Sequence, residues 1–577
     1  MGMVRRIGAR AVVPLFVVLL CTAAPAPAAT YTVNTQGDPP GGGCTGGTCS
    51  LRQAIAAVNA GSGGGDQINL PAARMVLALG VLSVSKPVTI AGAGARASIV
   101  DANAASTIIN FNAGASPSTA RDVMFTGGRG SGNSGVNNDV DLTLTRVAVT
   151  SSVATSFAAA GIYNGSAGNL TVTDSTISGN STGTIGGGIY NLNALTVTNT
   201  TVAGNTANTS GSNWEGGGIY TDGTATVVNS TVTGNTAFRG GGISVEGGST
   251  AIVKNTIVAQ NTATGAGHPG NCRVTGALTS QGNNLEDTNT CNFAQAGDLS
   301  NTPPGIGALQ DNGGPVDTRA VMAGSAAIDR GSGCPATDAR GVTRPQLSGC
   351  DIGAYEFAPP NVTTGNAEHV GVSTASIVGT LQPNLRASDH HFEYGKTAAY
   401  GATTPSIGAG SGGLPLSVSA ALTRLKAATT YHYRIVASNG DGTAVGAART
   451  FTTAPFAGAR LLTRRLRANR RGAIGLNLSC AAGTAGGACT SVASLYAATG
   501  KLPGAAARRT RRARLLGRAR FTIPAGQSVT KRLRLSRKGR RAVKKRGVTR
   551  GRLLLASRDA AGNSRTVRYR VTVRAAR

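Results

Sequence analysis

With 577 residues, the chain is long enough for about three or four domains of ordinary size. Its 83 glycines are about twice the usual share and aromatic residues make up only 4%, so the fold needs many tight bends. The net charge of +31 lies wholly in residues 455–577, where 32 Lys and Arg face one acid, Asp559, while no apolar run reaches the ~18–20 residues that a spanning helix needs, which excludes a protein built on membrane helices.

Arg5, Arg6 and Arg10, the apolar run from Ala11 to Leu20, and the small-residue site Ala26-Pro27-Ala28 form the pattern of a secretory signal peptide over residues 1–29. Leu20 stands before Cys21 where a lipid-attachment signal needs a small residue, so plain secretion to the extracellular space or cell surface is expected. Removal of Cys21 leaves eight cysteines as near neighbours. They are expected as the disulfides Cys44–Cys49, Cys272–Cys291, Cys334–Cys350 and Cys480–Cys489. A zinc site would need histidines at ligand spacing, and none sits beside these pairs.

Ser50-Leu-Arg-Gln53 is a capping box, and Leu51, Ile55 and Val58 share one helical face, which predicts a short helix closing one end of a core. Apolar alternations follow at Val88 to Ile90, Ile108 to Phe111, Val123 to Phe125 and Leu142 to Val149. The chain then repeats itself. Leu170-Thr-Val-Thr-Asp-Ser-Thr-Ile-Ser-Gly-Asn180 returns with ends at Asn205, Asn235 and Asn261, and a period of this size marks a solenoid. Each repeat is short and β-branched, so it supplies strands that must stack in parallel to share a core. Gly186-Gly-Gly-Ile-Tyr190, Gly216-Gly-Gly-Ile-Tyr220 and Gly240-Gly-Gly-Ile-Ser244 are expected as corners with positive backbone angles. The aligned Asn180, Asn205, Asn235 and Asn261, and Asp174, Asn199, Asn229 and Asn255, fit hydrogen-bonded ladders or turns; a ligand-binding role is the alternative.

Cys49-Ser-Leu-Arg-Gln-Ala-Ile55 resembles the C-S-L-R-E-A-I motif of secreted bacterial β-helix proteins, with Gln53 in place of the usual Glu. Gly282-Asn-Asn-Leu285, Gly313-Gly-Pro315, Gly324-Ser-Ala-Ala-Ile-Asp329, Asp338-x-Arg340-Gly341, Arg344-Pro345 and Cys350-Asp-Ile-Gly-Ala-Tyr-Glu356 resemble the ending of the family called choice-of-anchor Q. The resemblance covers about residues 30–357 and implies a right-handed parallel β-helix, like that of pectate lyases and polymorphic outer-membrane proteins, with an extracellular role. It implies no reaction. Residues 358–454 are similar to a fibronectin type III module, with Tyr431 in Thr430-Tyr-His-Tyr-Arg-Ile-Val436 as the corner tyrosine. Such a module implies a spacer.

Residues 455–577 resemble C-terminal β-sandwich domains through the Cys480 and Cys489 loop and the ending Asp559-x-x-Gly562-Asn563. Val567, Tyr569, Val571 and Val573 alternate with Arg568, Arg570 and Arg574, which predicts a strand with one buried and one cationic face. Together with Arg537, Lys538, Arg540, Arg541, Lys544, Lys545 and Arg546, these arginines are the candidate polyanion-binding residues. The chain ends at Arg577 with neither an apolar tail nor a Leu-Pro-x-Thr-Gly signal, so retention by charge is expected over covalent anchoring. Phe456, Tyr496, Phe521 and Tyr569 are too few for base stacking, so sequence-specific nucleic-acid binding is not expected.

Catalysis on a glycan needs clustered acids. The candidates are Asp139 with Asp141, placed on one face of a strand, and Glu286 with Asp287 in the Cys272 to Cys291 loop; the alternative for both pairs is solvated surface. His268 lacks an acidic partner nearby in sequence. Trp214 and Glu215 fall in the longest repeat and are the candidate sugar contact. Asp311, Asp317, Asp329, Asp338 and Asp351 offer oxygens to calcium, although turn capping accounts for isolated Asp equally well; no other cofactor is implied. The resulting expectation is a secreted all-β protein with a parallel β-helix, a fibronectin-like spacer and a basic sandwich. It holds to extracellular polysaccharide or anionic envelope polymer, and the alternative is a lyase or hydrolase of an acidic polysaccharide.

Overall fold

A computed structural model describes residues 28–44, 47–61, 64–156, 159–208, 215–482, 484–500, 502 and 512–576. Cys21 and the expected signal segment up to residue 27 lie outside the described residues, as does Trp214. The chain divides into two compact units, Met1–Glu356 and Phe357–Arg577.

In the first unit, short strands stack coil on coil into parallel sheets of ten, nine and eight strands, a parallel β-solenoid. The repeats set the register: Leu170, Leu195, Ala225 and Ala251 are successive partners, and all four are buried. One apolar core runs from Val33 to Phe293. Helix α1 (Leu51–Ala60) covers its start, with Leu51, Ala54, Ile55 and Val58 buried. Its capping box is complete: Gln53 N–H donates to Ser50 Oγ at 3.2 Å, and Ser50 N–H donates to Gln53 Oε1 at 3.0 Å.

The marker asparagines form a buried ladder. Asn180 Nδ2 donates to Asn205 Oδ1 at 3.0 Å, Asn205 to Asn235 at 3.0 Å, and Asn235 to Asn261 at 2.9 Å. The same Oδ1 atoms accept backbone N–H groups from the preceding coil, so each side chain closes its neighbour's bend. The ladder continues to Asn271 and ends on the Asp287 carboxylate at 2.7 Å. A further buried ladder, Asn138–Asn164–Asn191–Thr221, joins the corners after the eight-stranded sheet. Asp174, Asn199, Asn229 and Asn255 share left-handed backbone angles, φ between 46° and 52°, and their side chains pair only partly.

The glycine triplets do two jobs. Only the first residue of each needs a positive φ, as at Gly186 (φ 68°), where a Cβ would also lie 2.5 Å from the Cβ of Tyr190. The third is small because the ladder passes beside it: a Cβ on Gly188 would come 3.0 Å from Asn205 Nδ2. The expected positive-angle corner is thus met by the first glycine of each triplet, Gly186, Gly216 and Gly240.

After the last coil the chain folds back over the nine-stranded sheet. Thr176 Oγ1 donates to the Asp317 carbonyl, Arg319 donates to Thr233 Oγ1, Ala354 N–H donates to Thr231 Oγ1, and Ser332 N–H donates to Asn255 Oδ1. Ile257 and Leu285 of the sheet pack with Val321, Ile352 and Tyr355 of this returning segment. Four of its charged residues, Asp338, Arg340, Arg344 and Glu356, are buried and matched. Asp338 accepts from Arg340 at 2.8 Å and from the N–H groups of Arg340, Val342 and Glu356. The Arg340 guanidinium lies 3.5 Å from the centroid of the Tyr355 ring, and Arg344 pairs with Glu356 at 3.1 Å.

The second unit contains two sandwiches. In the first, the strands Asn361–Thr364, Ala375–Gln382 and Leu416–Leu422 pack across Ile377, Leu381, Phe392 and Ile435 on a sheet centred on Ser388–Gly395 and Thr430–Asn439. Tyr431 Oη accepts from the Lys426 backbone N–H at 2.9 Å, the bond of a tyrosine corner. In the second, Ala459–Leu461, Ala473–Cys480 and Ser528–Arg534 face a five-stranded sheet ordered Arg465–Arg467, Ser564–Arg574, Val548–Arg558, Ala488–Ala497, Leu515–Pro524. Asp559 fixes Asn563 by two 2.8 Å bonds, and Asn563 Oδ1 in turn accepts from Ala427 N–H at 2.8 Å, which joins the two sandwiches. All four expected disulfides are formed.

Candidate functional site

The acid pairs singled out as catalytic candidates are not assembled into one site. Asp139 sits in a corner after Val136–Asn138, whereas Asp141 opens the next strand, Asp141–Thr145, so they share no strand face. Asp141 is held below the usual carboxylate range by hydrogen bonds from Asn169 and Ser116. Glu286 is buried, and its oxygens accept from Thr288, Thr290 and the N–H of Cys291, inside the disulfide loop. Asp287 ends the asparagine ladder and also accepts from Gln260 N–H at 2.9 Å. The oxygens offered to calcium have protein partners as well. Asp311 and Asp317 pair with Arg96 at 3.0 and 2.8 Å, Asp338 with Arg340, and Asp329 and Asp351 accept backbone N–H groups.

Glu215 lies at the edge of the eight-stranded sheet's outer face and is only 4% exposed. Its Oε2 accepts from Ser244 Oγ at 2.7 Å and from Arg273 at 2.5 Å, and Arg273 also donates to Glu246 at 2.9 Å. Burial pushes the Glu215 carboxyl up, and neighbouring Glu246 adds to that rise against the pull of Ser244 and Arg273. Beside this cluster runs an outward row that sequence reading did not assemble: Asn137, Tyr163, Tyr190, Tyr220, Ser244 and Arg273 are successive partners across the coils. The tyrosine rings meet edge to face, with centroids 5.5 and 5.0 Å apart. The recurrent Gly-Ile-Tyr at Tyr163, Tyr190 and Tyr220 was the signal available for it.

The cationic residues gather on the last sandwich. In Ser564–Arg574, Tyr569, Val571 and Val573 are buried while Arg568, Arg570 and Arg574 are exposed. Cross-strand register extends the row: Arg552 faces Arg570, Arg467 faces Arg574, and Arg518 and Arg520 occupy the far strand opposite Ser494 and Val492. Residues Arg537 to Arg546 form helix α2 (Arg537–Arg546), which presents all seven of its cations to solvent and buries only Gly539 and Val543. Between the two sheets' edges lies a cleft of ≈ 690 Å³ lined by Arg467, Arg532 and Arg574. It adjoins one of ≈ 330 Å³ where Arg470, Arg540 and Lys544 ring Leu535 and Val543. Among the described residues, none of the thirteen ion pairs involves a residue after Asp441.

No protein-family model and no curated protein matches the chain. Among solved structures, the sensor domain of the anti-sigma factor RsgI4 from Pseudobacteroides cellulosolvens is similar at 21% identity, over 17% of this chain and 97% of that one, with a TM-score of 0.15. The FN1–FN3 domains of chicken CNTN1 are similar at 12% identity, over 38% of this chain and 68% of that one, with a TM-score of 0.16.

Proposed function

We propose that the protein is an extracellular surface protein that holds to anionic envelope polymer through the arginine face of its last sandwich. The carrying observation is the exposed cationic face formed by the strands and by α2, with no ion-pair partner among the described residues. Guanidinium groups fixed on a sheet meet phosphate or carboxylate in forked geometry without losing much side-chain freedom. Four disulfides fit an oxidising compartment, and no helix of the described residues is long and apolar enough to cross a membrane.

The test is retention of the full chain on immobilised polygalacturonate and on a glycerol-phosphate polymer across a salt series. Log affinity should fall linearly with log salt. The triple change Arg568→Gln, Arg570→Gln and Arg574→Gln should make that slope shallower by about two units, at roughly 0.7–0.9 per neutralised charge. A slope that the triple change leaves intact would overturn the reading. Release of new reducing ends from polygalacturonate by the purified protein would instead make it an enzyme.

A further inference from the structure

The three solenoid faces differ in what they leave open. The nine-stranded sheet is covered by the returning segment. The ten-stranded sheet presents threonines such as Thr143, Thr171 and Thr196 in register. The eight-stranded sheet carries the row of tyrosines, with Tyr163 and Tyr190 half-buried and so partly open to solvent. Among the described residues, two polar atoms along this face are buried without a hydrogen-bond partner: Asn137 Oδ1, one coil before Tyr163, and Arg239 Nε, beside Glu215. A buried acceptor and a buried donor left open in this way each carry an energetic penalty that a ligand hydroxyl would remove.

We infer that the outer face of the eight-stranded sheet binds a strand of uncharged polysaccharide along the solenoid axis, with sugar rings against Tyr163 and Tyr190, which the buried Tyr220 backs from the next coil, and hydroxyls at Asn137 and Arg239. Successive coils lie about 4.8 Å apart, so the row from Asn137 to Arg239 spans about four such steps and suits an oligomer better than a single sugar. Tyrosine offers an apolar ring face for the C–H side of a sugar and excludes nothing by charge. Charge selects the polymer. Burial raises the hydroxyls of all three tyrosines, and nearby carboxylates add to the rise: Asp139 at Tyr163, Asp222 at Tyr190 and Tyr220, and Glu246 at Tyr220. With Glu215 they make four carboxylates against Arg239 and Arg273, a balance that repels uronates. The site is therefore distinct in residues and in ligand charge from the arginine face.

The two sites separate in one experiment on the full chain taken up to about 1 M NaCl, where the Debye length is about 3 Å and the arginine face is screened. The probes are a soluble mixed-linkage β-glucan, a neutral mannan, soluble chitin oligomers and polygalacturonate, read by affinity electrophoresis and calorimetry. Saturable binding to at least one uncharged polymer that holds between about 0.1 and 1 M NaCl, while retention on polygalacturonate falls away over the same range, is the expected result. The double change Tyr163→Ala and Tyr190→Ala should weaken it about tenfold or more, whereas Tyr163→Phe with Tyr190→Phe, which keeps the rings, should retain it. Failure of every uncharged polymer to bind, loss of that binding as salt rises, or full binding by the alanine pair overturns the inference. If the alanine pair does not fold, the polymer selectivity of the unaltered protein still decides.

Discussion

The solenoid and the last sandwich treat charge in opposite ways. In the solenoid unit, charged side chains are sparse, and four of the most buried, Asp338, Arg340, Arg344 and Glu356, are paired within one network with side-chain exposures of 0–1%. In the last sandwich, arginines are many and exposed, and the single acid, Asp559, is spent on orienting an asparagine. Both regions use the same alternation of inward and outward residues along strands. The difference shows that strand alternation alone builds the core, and that what stands on the outer face is free to serve something else. Over the solenoid's nine-stranded sheet it anchors the chain's own returning segment; on the sandwich it stays open.

The comparison breaks most sharply at Arg340. Replacing it with Ala leaves Asp338 buried with one charged partner gone and removes the cation over Tyr355. A loss of about 3–5 kcal/mol is expected, as for other buried pairs cut on one side. Chemical unfolding of the full chain, with hydrogen exchange to locate the loss, should show it across residues 303–356 and the sheet beneath. Replacing exposed Arg570 with Ala should shift stability by less than about 0.5 kcal/mol. Comparable losses at the two positions would mean that the arginine face is part of the sandwich's own stability.

Acid should act on the solenoid more than on the last sandwich. Burial raises Asp38, but Arg52 and the backbone N–H groups of Leu79 and Ala78 bring it below its ordinary value. Burial likewise opposes, and bidentate Arg146 outweighs, at Asp122. A carboxyl lowered on folding stabilises fully above its unfolded pKa, and that stabilisation is lost as pH falls through the lower folded value. Exchange in the coils around Asp38 and Asp122 should therefore quicken as pH drops below about 4. Glu215 has the opposite sign, because its raised carboxyl favours the fold more as it takes up a proton. The last sandwich holds no carboxylate ion pair among its described residues, so its exchange should respond to added salt, which screens its arginines from one another, more than to acid. Parallel acid loss in both regions would contradict the division.

Legibility followed periodicity. The Asn180, Asn205, Asn235 and Asn261 ladder could be read because its members recur at the repeat length, but its last two steps could not. Asn271 lies only 10 residues beyond Asn261, in a coil that leaves the repeat, and Asp287 reaches it from the disulfide loop. The tyrosine row was visible as Gly-Ile-Tyr but counted as a corner, since a glycine next to a tyrosine says nothing about which face the ring takes. The returning segment has no period, and its Asp and Arg residues read singly as turn caps or calcium oxygens until Asp338, Arg340 and Glu356 were seen to meet. Helix α2 stayed hidden because only Gly539 and Val543 face the core, leaving no apolar stripe for the eye to follow.

The smallest effect tests α2 itself. Its first turn carries Arg537, Lys538 and Arg540 and no acid, so the positive end of the helix dipole meets positive charge. Ser536 Oγ, which accepts from Gly539 N–H at 3.0 Å, is the side-chain cap there. Ser536→Ala should cost about 1 kcal/mol and quicken exchange in α2 without disturbing the strands it packs on. Ser536→Asp keeps the cap and adds the missing negative charge, and should slow exchange in the same segment by an amount worth about 0.3–1 kcal/mol. A bound glycerol-phosphate polymer should slow it too, since phosphate beside the first turn supplies the same charge from outside. If polymer leaves exchange in α2 unchanged while still binding, the helix's seven cations are solubilising surface and the attachment belongs to the arginines on the sheet.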